Sequence, residues 1–113
     1  MAPITRGAEI QRIFAVGRRL SRGPLTLVGT ASTGSPPLRR VGLIVGRKFG
    51  GAVQRNRIKR RLRALTRVHP ELFPPGCDLL ILPRSTVQQW SCHTLTSAVE
   101  SLIAAWVRAH PKI

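Results

Sequence analysis

Acid is scarce in this sequence. Its 113 residues carry only Glu9, Glu71, Asp78 and Glu100 as carboxylates, against 19 lysines and arginines, for a formal charge of +15. None of the four lies within four residues of another. No single element therefore offers the paired carboxylates that acid–base or metal chemistry needs. Tyrosine is absent and aromatics make up 4%, which excludes the paired aromatic signature of an RNA-recognition sheet. Cys77 and Cys92 are separated by fourteen residues and fit no CxxC or zinc spacing; both are expected to be reduced, structural thiols. His69, His93 and His110 have no cysteine cluster and no partner one helical turn away, so they are expected as surface or helix-end residues. Catalytic residues and metal ligands are thus expected to be none. No apolar run approaches the roughly 20 residues of a membrane span. The first twenty residues lack the apolar core of a signal peptide, so a cytoplasmic protein is expected.

What is present is enough to fold. Hydrophobic residues make up 42% of the chain, which suits one domain over residues 1–113 with a single core. So large an excess of one charge repels itself in a compact state, and a polyanionic partner is the simplest compensation. RNA, DNA and an anionic membrane surface all qualify. Most of the cations are arginine, with lysine only at Lys48, Lys59 and Lys112; arginine offers a planar fork of donors matched to phosphate.

The chain contains no internal repeat, and "TASTGSPPL" over 30–38 is its clearest loop. In "AEIQRIFAVG", Ile10, Ile13 and Phe14 fall at helical spacing and Gly17 marks a stop. "RRLSRGPLTLVGTAS" reads as a short strand, a break at Gly23-Pro24, and a second strand from Leu25. In "RRVGLIVG", Val41, Leu43 and Val45 alternate with Gly42, Ile44 and Gly46. That predicts a strand with one flat face against which something packs closely. "CDLLILPR" is a short apolar run, expected to be a strand covered on both faces. Ser91 is placed to cap a last helix with Leu95, Val99, Leu102, Ile103 and Trp106 as its core stripe. The order is helix, two or three strands, helix, strand, helix, an α+β or α/β sandwich with a small sheet.

After Gly50-Gly51 the period changes from two to 3.6. Seven of the thirteen residues from Arg55 to Arg67 are arginine or lysine. Ile58, Leu62 and Leu65 define one apolar side of a helix. Asn56, Arg60, Arg63 and Arg67 recur on nearly the opposite side, joined by Lys59 and flanked by Arg55 and Arg57. Arg47, Lys48, Arg39 and Arg40 are expected to extend this cationic ridge. "GRKFGG" lacks the Gly-Lys-Ser/Thr ending of a nucleotide-binding loop. Its glycines either let the chain turn from strand into helix or bring backbone amides to a phosphate, and both can hold. Nothing reads as a helix-turn-helix, zinc finger or basic zipper. Residue chemistry by itself stops at a compact basic domain that binds RNA or DNA, with affinity falling steeply in salt.

The stretch "KFGGAVQRNRIKRRLR" goes further: it resembles the bacterial ribonuclease P protein family. The resemblance rests on Arg47-Lys48-Phe49-Gly50-Gly51-Ala52-Val53, then Arg55-Asn56-Arg57, then Lys59, Arg60 and Arg63. It extends outward through "AEIQRIFAVGRRL", "VGLIVGRK", "PPGCDLLILPR" and "LTSAVESLIAAW", over roughly residues 6 to 107. The resemblance implies an α+β fold, a two-layer αβββαβα sandwich with a left-handed crossover, like the second domain of the fifth small-subunit ribosomal protein. It implies a subunit, monomeric within the holoenzyme, that binds a large catalytic RNA and the 5′ leader of precursor tRNA. The RNA, with Mg²⁺ bound mainly by it, would perform the cleavage. By the same analogy Arg47, Lys48, Arg55, Asn56, Arg57, Lys59, Arg60, Arg63 and Arg67 contact RNA, and Phe14 and Arg18 line a leader cleft between the first helix and the sheet. Two departures stand out. Ile10 occupies a position where the family commonly has an aromatic, and the family's strand tyrosine is replaced near Val28 or Gly29. Stacking contributes about 1 to 3 kcal/mol per base, so the leader is expected to rely more on cations here. Two rivals are a structural RNA-binding protein, such as a ribosomal component, and a protein-only nuclease; the composite motif favours the ribonuclease P subunit.

Overall fold

The computed structural model describes residues 2–32 and 39–110. Its elements run β1 (Ala2–Pro3), α1 (Gly7–Val16), β2 (Arg18–Arg22), β3 (Leu25–Ala31), β4 (Arg40–Leu43), α2 (Ala52–Val68), β5 (Cys77–Pro83) and α3 (Cys92–Ala109). The αβββαβα order therefore holds, with a two-residue strand added in front. The sheet order is β1-β4-β5-β3-β2, antiparallel for β2–β3 and β3–β5, parallel for β4–β5 and β1–β4. Adjacent parallel strands cannot be joined by a tight turn, and the chain between β4 and β5 is where α2 sits. The sheet thus fixes the start and end of the basic helix.

Alternation along the strands divides the sheet into two faces. Leu25 and Leu27 of β3 and Leu79 and Ile81 of β5 join Ile58, Leu62 and Leu65 of α2 and the stripe Leu95, Val99, Leu102, Ile103 and Trp106 of α3 in the main core. The other face carries a smaller cluster, Val28 and Leu80 with Ile13 of α1 and Ile4. β5 is central and nearly all its residues are buried, which is why its sequence is a continuous apolar run rather than an alternation.

Turn chemistry matches the sequence at the β2–β3 hairpin, where Gly23 adopts φ 55°, a conformation other residues rarely take. The flat face of β4 is also real. A Cβ on Gly42 would lie 2.7 Å from Leu80 Cδ2 and 3.2 Å from Ile4 Cβ, so β4 and the segment after β1 approach closely. Ser91 caps α3 by accepting the Thr94 N–H at 3.1 Å.

Three boundaries differ from expectation. β4 ends at Leu43, and a 3₁₀ turn over Arg47–Phe49 follows, turning Phe49 into the core. Thr30 and Ala31, expected in a loop, close β3 by pairing with Asp78 and Cys77; residues 33–38 of that loop lie outside the described residues. β1 has too few residues to leave a periodic signal. It lies at the sheet edge, where Pro3, having no N–H, costs no ladder bond.

Candidate nucleic-acid interface

The basic helix is as amphipathic as its sequence demands. Ile58, Leu62 and Leu65 are the buried residues of α2, while Asn56, Arg57, Arg60, Arg63 and Arg67 are exposed and Arg55, Lys59 and Arg61 half-buried. Among the described residues, none of the cations of α2 forms a salt bridge with a carboxylate. Arg61 is spent locally, donating to the Trp90 carbonyl. α2 starts at Ala52; its N-cap, Gly51, supplies no side-chain bond, and its first turn holds no acid. Gly50 just before it has φ 156°, so the glycines do serve the turn from sheet to helix. Arg47 and Lys48 stand exposed on the 3₁₀ turn leading into it.

The ridge divides into two parts. Asn56, Arg57 and Arg60 surround a shallow outward depression with Val53. Lys59, Arg63 and Thr66 lie on the flank toward α1 and line a groove of about 450 Å³. Its other walls are Pro3, Ile4 and Thr5 after β1, Val41 and Leu43 of β4, and Ile10 of α1. The groove thus has aliphatic walls and a cationic rim, a form suited to a flexible chain of phosphates and sugars. No periodicity joins Ile10 to Lys59, so sequence reasoning named both residues without bringing them together.

The other expected cleft residues separate. Phe14 is 36% exposed on α1, and the guanidinium of Arg19 lies 5.9 Å from its ring centroid, a cation–π contact. Arg18 is not its companion. It pairs with Gly29, whose Cα faces Trp106 and Leu79, so its side chain belongs to the α3 side of the sheet. Trp106 Nε1 also donates to the Arg18 carbonyl at 2.9 Å. Strand alternation therefore exchanges the two arginines: Arg19, not Arg18, shares a face with Phe14.

Arg40 does not extend the ridge as a free cation, whereas Arg39 meets only a backbone carbonyl and keeps its charge uncompensated among the described residues. Arg39 donates to the Pro70 carbonyl at 3.4 Å. Arg40 donates from Nε to Asp78 Oδ1 at 3.1 Å, from Nη2 to Asp78 Oδ2 at 3.1 Å and from Nη1 to Glu9 Oε1 at 2.8 Å. Arg12 Nη2 reaches Asp78 Oδ2 at 2.8 Å. The hydrogen bonds Arg40 donates to Asp78, and next that to Glu9, raise its pKa above an already high ordinary value, so this guanidinium stays charged wherever the protein is folded. Asp78, fully buried, is consumed in the process.

These pairings bear on metal chemistry. Asp78 and Glu9 are held by arginines, and Glu71 lies beside His69 at 3.3 Å. No group of three or more His, Cys, Asp or Glu among the described residues converges to hold an ion. Both cysteines are free. Cys77 is buried, and that burial pushes its thiol pKa up, with a further push from Asp78. Cys92 is exposed at the start of α3 and, against expectation, contributes nothing to the core. No helix among the described residues is long and apolar enough to cross a membrane.

Comparison with known proteins gives these features a setting. The family model for ribonuclease P matches residues 2–107. The ribonuclease P protein component of Oleidesulfovibrio alaskensis is 34% identical over 100 residues, 88% of this chain and 79% of that protein. That of Desulfotalea psychrophila is 34% identical over 99 residues, 88% of this chain and 81% of its own length. Among solved structures, the RNase P protein of Staphylococcus aureus has the same fold, with a TM-score of 0.81 at 23% identity over 93% of this chain and 94% of that one. The motif around Arg55-Asn56-Arg57, the sheet that presents it and the extent of these matches agree: the chain belongs to the ribonuclease P protein family.

Proposed function

We propose that this chain is the subunit that binds the catalytic RNA of ribonuclease P and holds the single-stranded 5′ leader of precursor tRNA while that RNA removes it. Unpaired guanidinium groups on the outward side of α2, at Arg57, Arg60 and Arg67 with Asn56 among them, take phosphates of the folded RNA. Arg55, Arg47 and Lys48 add contacts near the start of the helix. The groove between α1 and α2 takes the leader: Lys59 and Arg63 meet its phosphates, and Ile10 and its aliphatic neighbours meet sugars and bases. No aromatic among the described residues lines this groove, so cations carry more of the binding than stacking does. Phe14, paired with Arg19, offers an exposed ring on the same helix.

The observation that carries this reading is the apolar-walled groove rimmed by Lys59 and Arg63, neither within salt-bridge reach of an acid, in a member of this family. The protein supplies neither nucleophile nor general base. Its carboxylates are scattered or consumed by arginines, and activation of water would be supplied by Mg²⁺ held on the RNA. What the chain adds is positioning and charge neutralisation, which strengthens metal binding by ordering phosphates. It acts as a monomer in the holoenzyme, in the cytoplasm.

Reconstitution tests this directly. The protein is mixed with its cognate catalytic RNA at low Mg²⁺ and cleavage of precursor tRNA is followed. Stimulation of 5′ leader removal is expected, and the isolated chain with Mg²⁺ should cleave nothing. Absence of stimulation removes the subunit reading; cleavage by the isolated chain replaces it with a protein-only nuclease.

A further inference from the structure

Two of the four carboxylates in this acid-poor chain, Glu9 and Asp78, meet at one junction. Arg40 and Asp78 are register partners on β4 and β5, so their bidentate pair lies within the sheet. Glu9 and Arg12 come from α1, three residues apart and hence on one side of the helix. Their bonds, Glu9 to Arg40 and Arg12 to Asp78, are the ionic links from α1 to the sheet. Two guanidinium groups face two carboxylates, so the cluster is neutral and is no phosphate site.

Apolar packing holds α1 at few points. Ile13 is its buried residue, within a cluster shared with Ile4, Val28 and Leu80, and its N-terminus has no side-chain cap. Ile10, part-buried, packs against the same cluster one turn away, so apolar contact holds α1 along one short line and leaves its tilt about that line to other bonds. A buried ionic network contributes little net stability compared with an apolar one of equal volume, because desolvation offsets the attraction. Its directional bonds do fix orientation, and being part-buried they are weakly screened by salt. The helix so held carries Ile10, a wall of the groove opposite Lys59 and Arg63.

We propose that Glu9 and Arg12 are positioning residues: through Arg40 and Asp78 they set the angle of α1 over the sheet, and with it the width of the groove that receives single-stranded RNA. This rests on the reading of the groove as the leader site, and it separates the two RNA-binding tasks of the chain. Leader affinity depends on the clasp, whereas affinity for the catalytic RNA, through the outward side of α2, does not.

The test uses the reconstituted holoenzyme with Arg12→Gln and with Glu9→Gln/Arg12→Gln. Both leave the Asp78–Arg40 pair in place, and thermal unfolding reports whether the fold is kept. Affinity is measured for precursor tRNA bearing a long leader and for one bearing a single-nucleotide leader, alongside affinity of the protein for catalytic RNA. The wild-type holoenzyme should prefer the long leader, and both variants should lose most of that preference with catalytic-RNA affinity unchanged. Arg12→Lys, which keeps a cation beside Asp78, should restore part of it. Should the double variant unfold, Arg12→Gln carries the same comparison. An undiminished leader preference overturns the proposal, as does an equal loss for both substrates and the catalytic RNA, which would mark a merely structural role. Absence of leader preference in the wild type overturns the leader-site reading instead, and the positioning role with it.

Discussion

Individual positions here are constrained by what approaches them. Gly29 is the sharpest case, since a Cβ there would lie 2.4 Å from Leu79 Cδ2 and 2.6 Å from Trp106 Cζ2. Both neighbours are fully buried and neither can swing into solvent. Overpacking of this kind costs about 1–3 kcal/mol, so Gly29→Ala should lower the unfolding free energy by that amount, read as a lower midpoint of urea unfolding. An unchanged midpoint would mean that Trp106 moves freely, against its hydrogen bond to the Arg18 carbonyl. The same geometry explains why no strand tyrosine fits at Gly29: Trp106 already fills the space. Val28, the other position considered for it, is covered by the α1 cluster.

At the scale of the element, α2 separates stability from binding by side. Leu62 is fully buried in the main core, and Leu→Ala at such sites costs about 2–5 kcal/mol. Arg57 on the outer surface contacts no acid among the described residues. Its removal should change stability by less than about 0.5 kcal/mol yet weaken catalytic-RNA binding by roughly 1–2 kcal/mol, the range of a lost charge-assisted contact. Paired denaturation and filter-binding measurements on Leu62→Ala and Arg57→Ala distinguish the two. If Arg57→Ala destabilises the fold, or binds RNA normally at physiological salt, the assignment of its side chain to RNA is wrong. The element was legible because a 3.6-residue period is a local property; Ile58, Leu62 and Leu65 turn inward as their spacing requires.

For the whole molecule, the excess charge governs association. With 19 cations and four acids, two of those acids spent inside the Arg12–Asp78–Arg40–Glu9 cluster, the outer surface is more uniformly basic than composition suggests. Binding to catalytic RNA should therefore weaken linearly on log–log axes with salt, by about 0.7 to 0.9 per phosphate neutralised. Each arginine on the outward side of α2 that is replaced by alanine should reduce the slope by about 1. Arg12→Gln should leave it unaltered, because Arg12 is bonded to Asp78. A slope insensitive to changes on α2, or one that falls with Arg12, would transfer the RNA surface elsewhere on the molecule.

By itself the sequence determined the properties that depend on near neighbours along the chain. These are the amphipathic basic helix, the apolar central strand, the capped last helix, the order of elements and the composite motif that carries the family. Which arginines remain free for RNA was decided only in three dimensions. Arg40 and Asp78 are 38 residues apart and Arg12 and Asp78 are 66 apart, so no period or spacing announces that they neutralise one another. The exchange of Arg18 for Arg19 beside Phe14 follows from a strand register, where a shift of one residue reverses the face. The groove likewise needs β1, α1 and α2 assembled around the β4 edge, because its cations and its aliphatic walls come from segments that meet only when the sheet is complete.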